Sequence, residues 1–242
     1  MEADGGKDQP RVPPDDPALE PFRRLRTEVV MRLQDAPGPK IVAVLGALYG
    51  EGRSTVAVNL ARVLAMEGHR VLLFDADLRR PRLAALLAEG EGPGLEEYLL
   101  GESPLAGCLQ RSRLPGVHVL GARTGIHGPA EAPGAPRFRA LWPAVRSEFD
   151  FVIVDTSPVH AASEVPIVAR SADASLLVVE EGRTGARQAL AAKRRLENHH
   201  VRVLGLVVNR SRNRTSHRPE SGRTPAVRDK AGAGARPLVG IQ

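Results

Sequence analysis

The residues best suited to chemistry in this chain gather around one turn and three strand ends. Gly50 and Gly52 lie in the stretch Ala47-Leu48-Tyr49-Gly50-Glu51-Gly52-Arg53-Ser54-Thr55, between an apolar run, Ile41 to Leu45, and a helical pattern, Val56 to Glu67. Glycines at a strand-to-helix turn allow backbone angles that a side chain forbids, so several amides can point inward and cradle phosphate. The start of the helix adds the positive end of its dipole to the same place. Arg53 sets a cation beside that cradle, and Ser54 stands where a hydroxyl can reach magnesium. Asp75 and Asp77 end the apolar run Val71-Leu72-Leu73-Phe74, and Asp155 ends Phe151-Val152-Ile153-Val154. Carboxylates that close buried strands beside a phosphate loop suit magnesium and a proton acceptor better than they suit a core.

The turn departs from the P-loop pattern G-x-x-x-x-G-K-[ST] at two positions. Ala47 stands for its first Gly and Arg53 for its Lys. The first change is mild, because the later glycines form the tight part of the loop. The second matters more: a guanidinium keeps the charge but is planar and longer, whereas Lys presents a compact point charge. Taken alone, the stretch also reads as a plain surface turn. Asp155 alone reads either as the magnesium-holding acid of a Walker B strand or as an ordinary strand-end residue.

Holding these groups together takes an α/β scaffold. A helix begins at Ala18, with Leu19, Phe22, Leu25, Val29 and Leu33 at helical spacing, and ends before Pro37-Gly38-Pro39. Its other side carries Glu20, Arg23 and Arg26 at intervals of three, which by itself is a solvated charged face. Strand Ile41–Gly46, helix Arg53–Glu67 and strand Val71–Phe74 follow; strands joined by helices of this length imply a parallel sheet with right-handed crossovers. Ligands of such sheets lie beyond the carboxyl ends of the strands, so Asp75 and Asp77 are expected in the crevice of the Gly-rich loop. Further along, Pro81 to Leu100 reads as helical with a break at Gly90 to Gly94, Val117–Leu120 as a strand, 121–135 as loop and Pro136–Glu148 as a helix. The strand ending at Asp155, a strand over 174–179, a helix over 184–197 and a last strand, Val203–Asn209, complete the order. The expected fold is a doubly wound, mainly parallel sheet of the P-loop NTPase type with helices on both faces.

Composition sets further bounds. The net charge of +6 belongs to the end of the chain: from Arg210 onward there are eight Lys or Arg against two acidic residues. The rest is neutral overall, which argues against a nucleic-acid binder on charge alone. Residues 1–17, acidic and rich in Gly and Pro, and residues 211–242, rich in Arg, Ser, Thr, Gly and Ala, read as disordered. The basic tail offers at most a weak contact with an anionic membrane. No apolar run approaches the roughly 20 residues that span a bilayer. The lone Cys108 fits a reducing compartment. A soluble, cytoplasmic protein is expected, any link to the inner membrane coming through a partner or a charged surface.

Taken together, the strand-end signals resemble the cytoplasmic domain of the bacterial tyrosine kinases of capsule and exopolysaccharide synthesis. Leu72 to Pro81, LLFDADLRRP, is close to that family's Walker A′ motif, and Phe151 to Val159, FVIVDTSPV, resembles its Walker B, with Ser157 where a second Pro is usual. Glu20-x-x-Arg23-x-x-Arg26 matches the family's ExxRxxR motif, which in relatives joins subunits into a ring. Pro129-Ala130-Glu131, Gly182-Arg183-Thr184 and Val208-Asn209 continue the likeness, which covers roughly residues 18–210. The resemblance implies ATP and Mg2+ as cofactors, with Gly50, Glu51, Gly52, Arg53, Ser54 and Thr55 around the phosphates and Asn209 near the adenine. It implies Ser54, Asp75, Asp77 and Asp155 around magnesium, with Asp77 helping to deprotonate an incoming tyrosine hydroxyl and Asp75 and Arg53 assisting. It also implies a homo-oligomer through Glu20, Arg23 and Arg26, and a membrane partner that sets polysaccharide chain length. Tyr49 stands where the family usually has Pro, and the family's C-terminal tyrosine cluster is absent: Tyr49 and Tyr98 are the only tyrosines. A kinase acting on a partner or on Tyr98 and a nucleotide-responsive scaffold in polysaccharide export both fit these residues. A partitioning-type ATPase fits less well, because the region of Ala47 and Leu48 lacks that class's signature Lys.

Overall fold

The computed structural model describes residues 16–123, 126, 128, 130–211 and 237–240. Most of the segments expected to be disordered, and Pro129, lie outside them. After a 3-10 turn at Pro17–Leu19, the chain forms α1 (Glu20–Leu33), β1 (Lys40–Gly46), α2 (Arg53–Ala65), β2 (Val71–Ala76), α3 (Leu83–Leu87), α4 (Leu95–Leu100) and α5 (Leu105–Cys108). Then come β3 (Gln110–Arg111), β4 (Val117–Leu120), α6 (Pro136–Glu148), β5 (Phe151–Thr156), α7 (Val165–Arg170), β6 (Ala174–Glu180), α8 (Ala186–Asn198), β7 (Val203–Asn209) and β8 (Pro237–Gly240). The sheet runs β3-β4-β2-β5-β1-β6-β7-β8, parallel throughout except where β3 meets β4.

Both faces of the sheet are covered, as the near-continuous apolar strands require. Successive side chains of β1 alternate between two cores. Ile41, Ala43 and Leu45 join Phe138, Leu141, Trp142 and Val145 of α6, Val165 and Val168 of α7, and Ala192 and Leu196 of α8. Val42 and Val44 join Phe22, Leu25, Val29 and Leu33 of α1 and Val56, Leu60 and Leu64 of α2. The apolar stripe of α1 is thus buried against α2. On its outer side Glu20 pairs with Arg23 at 3.6 Å and with Arg24 at 3.3 Å, and Arg26 forms an ion pair with Glu67 beyond the end of α2. None of the described helices is long and apolar enough to cross a membrane.

Several elements differ from the sequence expectation, each for a local reason. The last strand is not Val203–Asn209: within the tail expected to lack structure, Pro237–Gly240 pairs in parallel with β7. It is a short run containing Leu238 and Val239, and a Pro is tolerated at the first position of an edge strand. Helix α3 begins at Leu83, not at Pro81, because the amides of Arg82 and Leu83 are taken by the Asp75 carboxylate. Helix α8 begins at Ala186 because Thr184 is bonded back to Glu180, through its own amide and by accepting the Glu180 amide at its hydroxyl. The short α5, β3 and α7 carry too few residues to show a period, and a 3-10 turn at Ala132–Gly134 interrupts the expected loop.

Candidate functional site

The loop from Ala47 to Gly52 is held from beneath by its own acid. Glu51 is fully buried, accepts the Leu48 amide at 2.8 Å and accepts the Thr184 hydroxyl at 2.6 Å. Its backbone carbonyl accepts the side-chain amide of Asn209 at 2.8 Å. Gly50 and Gly52 have φ of 81° and 88°, in the left-handed region where a side chain strains the backbone. At Gly52 there is a second demand: a Cβ would lie 2.0 Å from the Asn209 amide nitrogen. Glu51 and Asn209, expected around the nucleotide, both brace the loop. Ser54 and Thr55, in the first turn of α2, are exposed.

The acids arrive on two neighbouring strands in register. Asp75 of β2 sits directly opposite Asp155 of β5, so both side chains fall on the same face at the carboxyl end of the sheet. Asp155 is 3% exposed; one oxygen accepts the Ser54 hydroxyl at 2.5 Å and the other has no partner. Burial, and then the charge of Asp75, push its carboxyl up to about 7, against the opposing pull of Ser54 and Arg53. Burial likewise pushes Asp75 up to about 6, although three amides pull the other way. Those amides, from Asp77 at 3.1 Å, Arg82 at 2.6 Å and Leu83 at 2.8 Å, tie Asp75 into the turn that follows β2. Asp77 is half-buried at the mouth of that turn. One of its oxygens accepts both the Ser157 hydroxyl, at 2.6 Å, and the Arg80 amide, at 3.1 Å, while the other oxygen is left open.

Arg53 completes the constellation. It is 7% exposed, its Cγ and Cδ pack on Gly46, and two of its nitrogens, Nε and one of the Nη pair, are buried without a partner. A buried guanidinium short of acceptors, beside a carboxylate oxygen short of a donor, is costly unless a ligand satisfies both. An anionic ligand with a cation answers both needs. The cleft they share measures about 400 Å³ and is also lined by Tyr49, Gly50, Ser54, Asp77, Arg80 and Arg82. Among the described residues no cluster of three His, Cys, Asp or Glu side chains could hold a metal alone. Mg2+ as a class binds through one or two carboxylates together with phosphate oxygens and water.

Residues 42–227 match the model of the CobQ/CobB/MinD/ParA nucleotide binding domain. The tyrosine-protein kinase YwqD of Bacillus subtilis is 34% identical over 190 residues, which cover 78% of this chain and 80% of YwqD. The chain belongs to the bacterial tyrosine-protein kinases of this nucleotide-binding family. The solved structure of the kinase domain of the Escherichia coli tyrosine kinase ETK superposes on this kinase-family chain with a TM-score of 0.75 at 30% identity, over 86% of this chain and 80% of that one. EpsB of Ralstonia solanacearum, named as a tyrosine-protein kinase, is 36% identical over 196 residues, 81% of this chain. The chain spans only 26% of the length of EpsB. The kinase-family match and the parallel sheet flanked by helices agree with the fold class read from the sequence.

Other contacts around the cleft tie the flanking loops together. Arg79 forms a two-pronged pair with Glu164, at 2.7 and 3.1 Å, and Glu164 is 1% exposed. Glu180 gathers Arg183 at 3.1 Å and Arg210 at 2.8 Å, and Arg210 also lines the cleft. Charge order along the chain foretells neither the Arg79–Glu164 nor the Arg210–Glu180 pair, whose partners lie 85 and 30 residues apart, whereas Glu180 and Arg183 stand at the local i,i+3 spacing. The Ser157 contact had a usable signal: on an extended strand, a residue two after Asp155 returns to the same face. Tyr98, considered as a phosphate acceptor, is 8% exposed and its hydroxyl donates to the Arg137 carbonyl at 3.1 Å. It is a core residue in this fold and does not line the cleft of Arg53 and Asp155.

Proposed function

We propose that this domain binds ATP with Mg2+ in the cleft and transfers the γ-phosphoryl group to a protein tyrosine hydroxyl, as part of capsule or exopolysaccharide export. The observation that carries the reading is Arg53, buried in the glycine loop with two unpartnered nitrogens beside the unpartnered oxygen of Asp155. Loop amides and the Arg53 guanidinium would take the phosphate charge, a form of electrostatic stabilisation that suits phosphoryl transfer. Ser54 and Asp155 would hold the magnesium ion, which supplies further neutralisation of the phosphates. Asp77, steadied by Ser157 and Arg80 through one oxygen, keeps the other to accept the tyrosine proton. Asp75, with three amides already bonded, is assigned to shaping the turn that carries Asp77. Asn209 acts through the loop it braces. The proposed setting is cytoplasmic, with the domain docked to a membrane chain-length protein and assembled with further copies through Glu20, Arg23 and Arg26; the basic tail adds at most a weak contact with anionic lipid. Nothing in the charge of the folded part calls for nucleic acid.

Titrating ATP with and without Mg2+, and following transfer to a Glu-Tyr copolymer, tests this reading. Mg2+-dependent binding together with labelled copolymer is expected, and the absence of both refutes it. Binding without transfer would favour the nucleotide-responsive scaffold, which the replacement of the loop Lys by Arg53 supports. In Arg53→Lys, a large gain in turnover would mark an attenuated kinase, whereas a tenfold or greater loss would show that the guanidinium is the working cation.

A further inference from the structure

Tyr49 is half-exposed, at 40%, and lines the same cleft as Arg53, Asp77, Arg80, Arg82 and Arg210. The P-loop pattern leaves this position open, and nothing in a phosphate cradle calls for an aromatic there. The backbone on either side is fixed, because Glu51 holds the Leu48 amide and Gly50 sits at a φ of 81°. The phenol is therefore carried on a firm base at the mouth of the cleft, with the Arg80 guanidinium 5.0 Å from its ring centre. The chain has one other tyrosine, Tyr98, and its hydroxyl is already bonded inside the fold.

Resting on the proposed phosphoryl transfer, we infer that Tyr49 is a phosphate-acceptor site whose modification closes the nucleotide cleft. In the step, a bond forms between the Tyr49 phenolic oxygen and the γ-phosphorus of ATP. The bond from that phosphorus to the β,γ-bridging oxygen breaks, ADP leaves with the bonding pair, and the phenolic proton passes to the open oxygen of Asp77. The product carries a charge of about −1.5 to −2 and three strong acceptor oxygens. Arg80, Arg82 and Arg210 line the same space and match a phosphate in charge and in two-pronged geometry. A phosphotyrosine seated among them takes the cations that a triphosphate would use and repels the triphosphate itself. Transfer then limits its own continuation.

The test uses the full chain with Mg-ATP and a Glu-Tyr copolymer in the same reaction, followed by peptide mapping of phosphotyrosine. Phosphate on Tyr49 is expected, undiminished in Tyr98→Phe and lost in Asp77→Asn. A labelled copolymer with unmodified Tyr49 overturns the inference and leaves the proposed function standing. No label on either refutes the proposed function and the Tyr49 assignment with it. The closing effect has its own arm, independent of the chain's activity: phosphotyrosine is placed at position 49 during synthesis and a fluorescent ATP analogue is titrated. Affinity at least tenfold weaker than that of the unmodified chain is expected, and equal affinity overturns the regulatory half of the inference.

Discussion

Replacing Asp155 by Asn tests the electrostatics at the floor of the cleft. In the folded chain burial, with the neighbouring Asp75 charge, raises this carboxyl from 3.8 to about 7. The folded state therefore holds the proton more tightly than the unfolded chain does, so stability falls as pH rises from the ordinary value through the raised one. At about 1.4 kcal/mol per unit, this linkage costs the fold about 4 kcal/mol at pH 8, where the folded carboxylate is ionised, and about 2 kcal/mol at pH 5, where folding takes up a proton. Asn keeps the shape and, through its carbonyl, the bond from Ser54. Its amide nitrogen takes the position of the oxygen that has no partner, which subtracts about 1–3 kcal/mol at both pH values alike. The decisive quantity is thus the difference: Asp155→Asn is expected to gain about 2 kcal/mol more stability at pH 8 than at pH 5, by linkage. Urea unfolding at the two pH values, without nucleotide, measures it. The same variant is expected to lose the Mg2+ dependence of ATP binding. A gain that does not change with pH, or a larger gain at pH 5, would refute the argument that a buried charge is being tolerated for the sake of a ligand.

Three other substitutions probe the surrounding frame. Gly52→Ala strains a positive φ and drives a methyl into the Asn209 amide, so ATP binding measured by calorimetry should fall by more than tenfold while the sheet stays folded by circular dichroism. Arg79→Ala leaves Glu164 buried without its cation, and a stability loss of about 3 kcal/mol is expected at pH 7 by urea unfolding; the loss should shrink in the double variant with Glu164→Gln. Asn209→Ala removes the bond to the Glu51 carbonyl, with an expected cost of about 1–3 kcal/mol and a weaker ATP affinity, both absent if the amide is idle.

Strands and the long helices were legible because their signals are local. The apolar runs over Ile41–Leu45, Val71–Phe74 and Phe151–Val154 can be buried on both faces only in a covered parallel sheet, and the stripe of Phe22, Leu25, Val29 and Leu33 fixes the inner side of α1. The convergence of Gly50, Gly52, Ser54, Asp77 and Asp155 on one cleft followed from strand ends alone. What stayed hidden was the division of labour among the polar groups. Whether Asp75 faces a ligand or its own backbone depends on the path of residues 77–83, and that path has no period to read. Glu51 looked like a loop residue open to a nucleotide; its burial depends on Thr184, 133 residues away. The strand at Pro237–Gly240 was masked by a tail whose composition otherwise argues against order.

The position of β5 in the sheet has a mechanical consequence. It runs between β2 and β1, hydrogen-bonded to both, so Asp155 is mounted on an interior strand and cannot shift without shearing the middle of the molecule. Asp77 and Arg210 instead stand on connecting segments, outside the strands. A nucleotide entering here would meet a stationary anvil below and an adjustable collar above. Any response to occupancy must travel outward through that collar, toward the rim of the cleft.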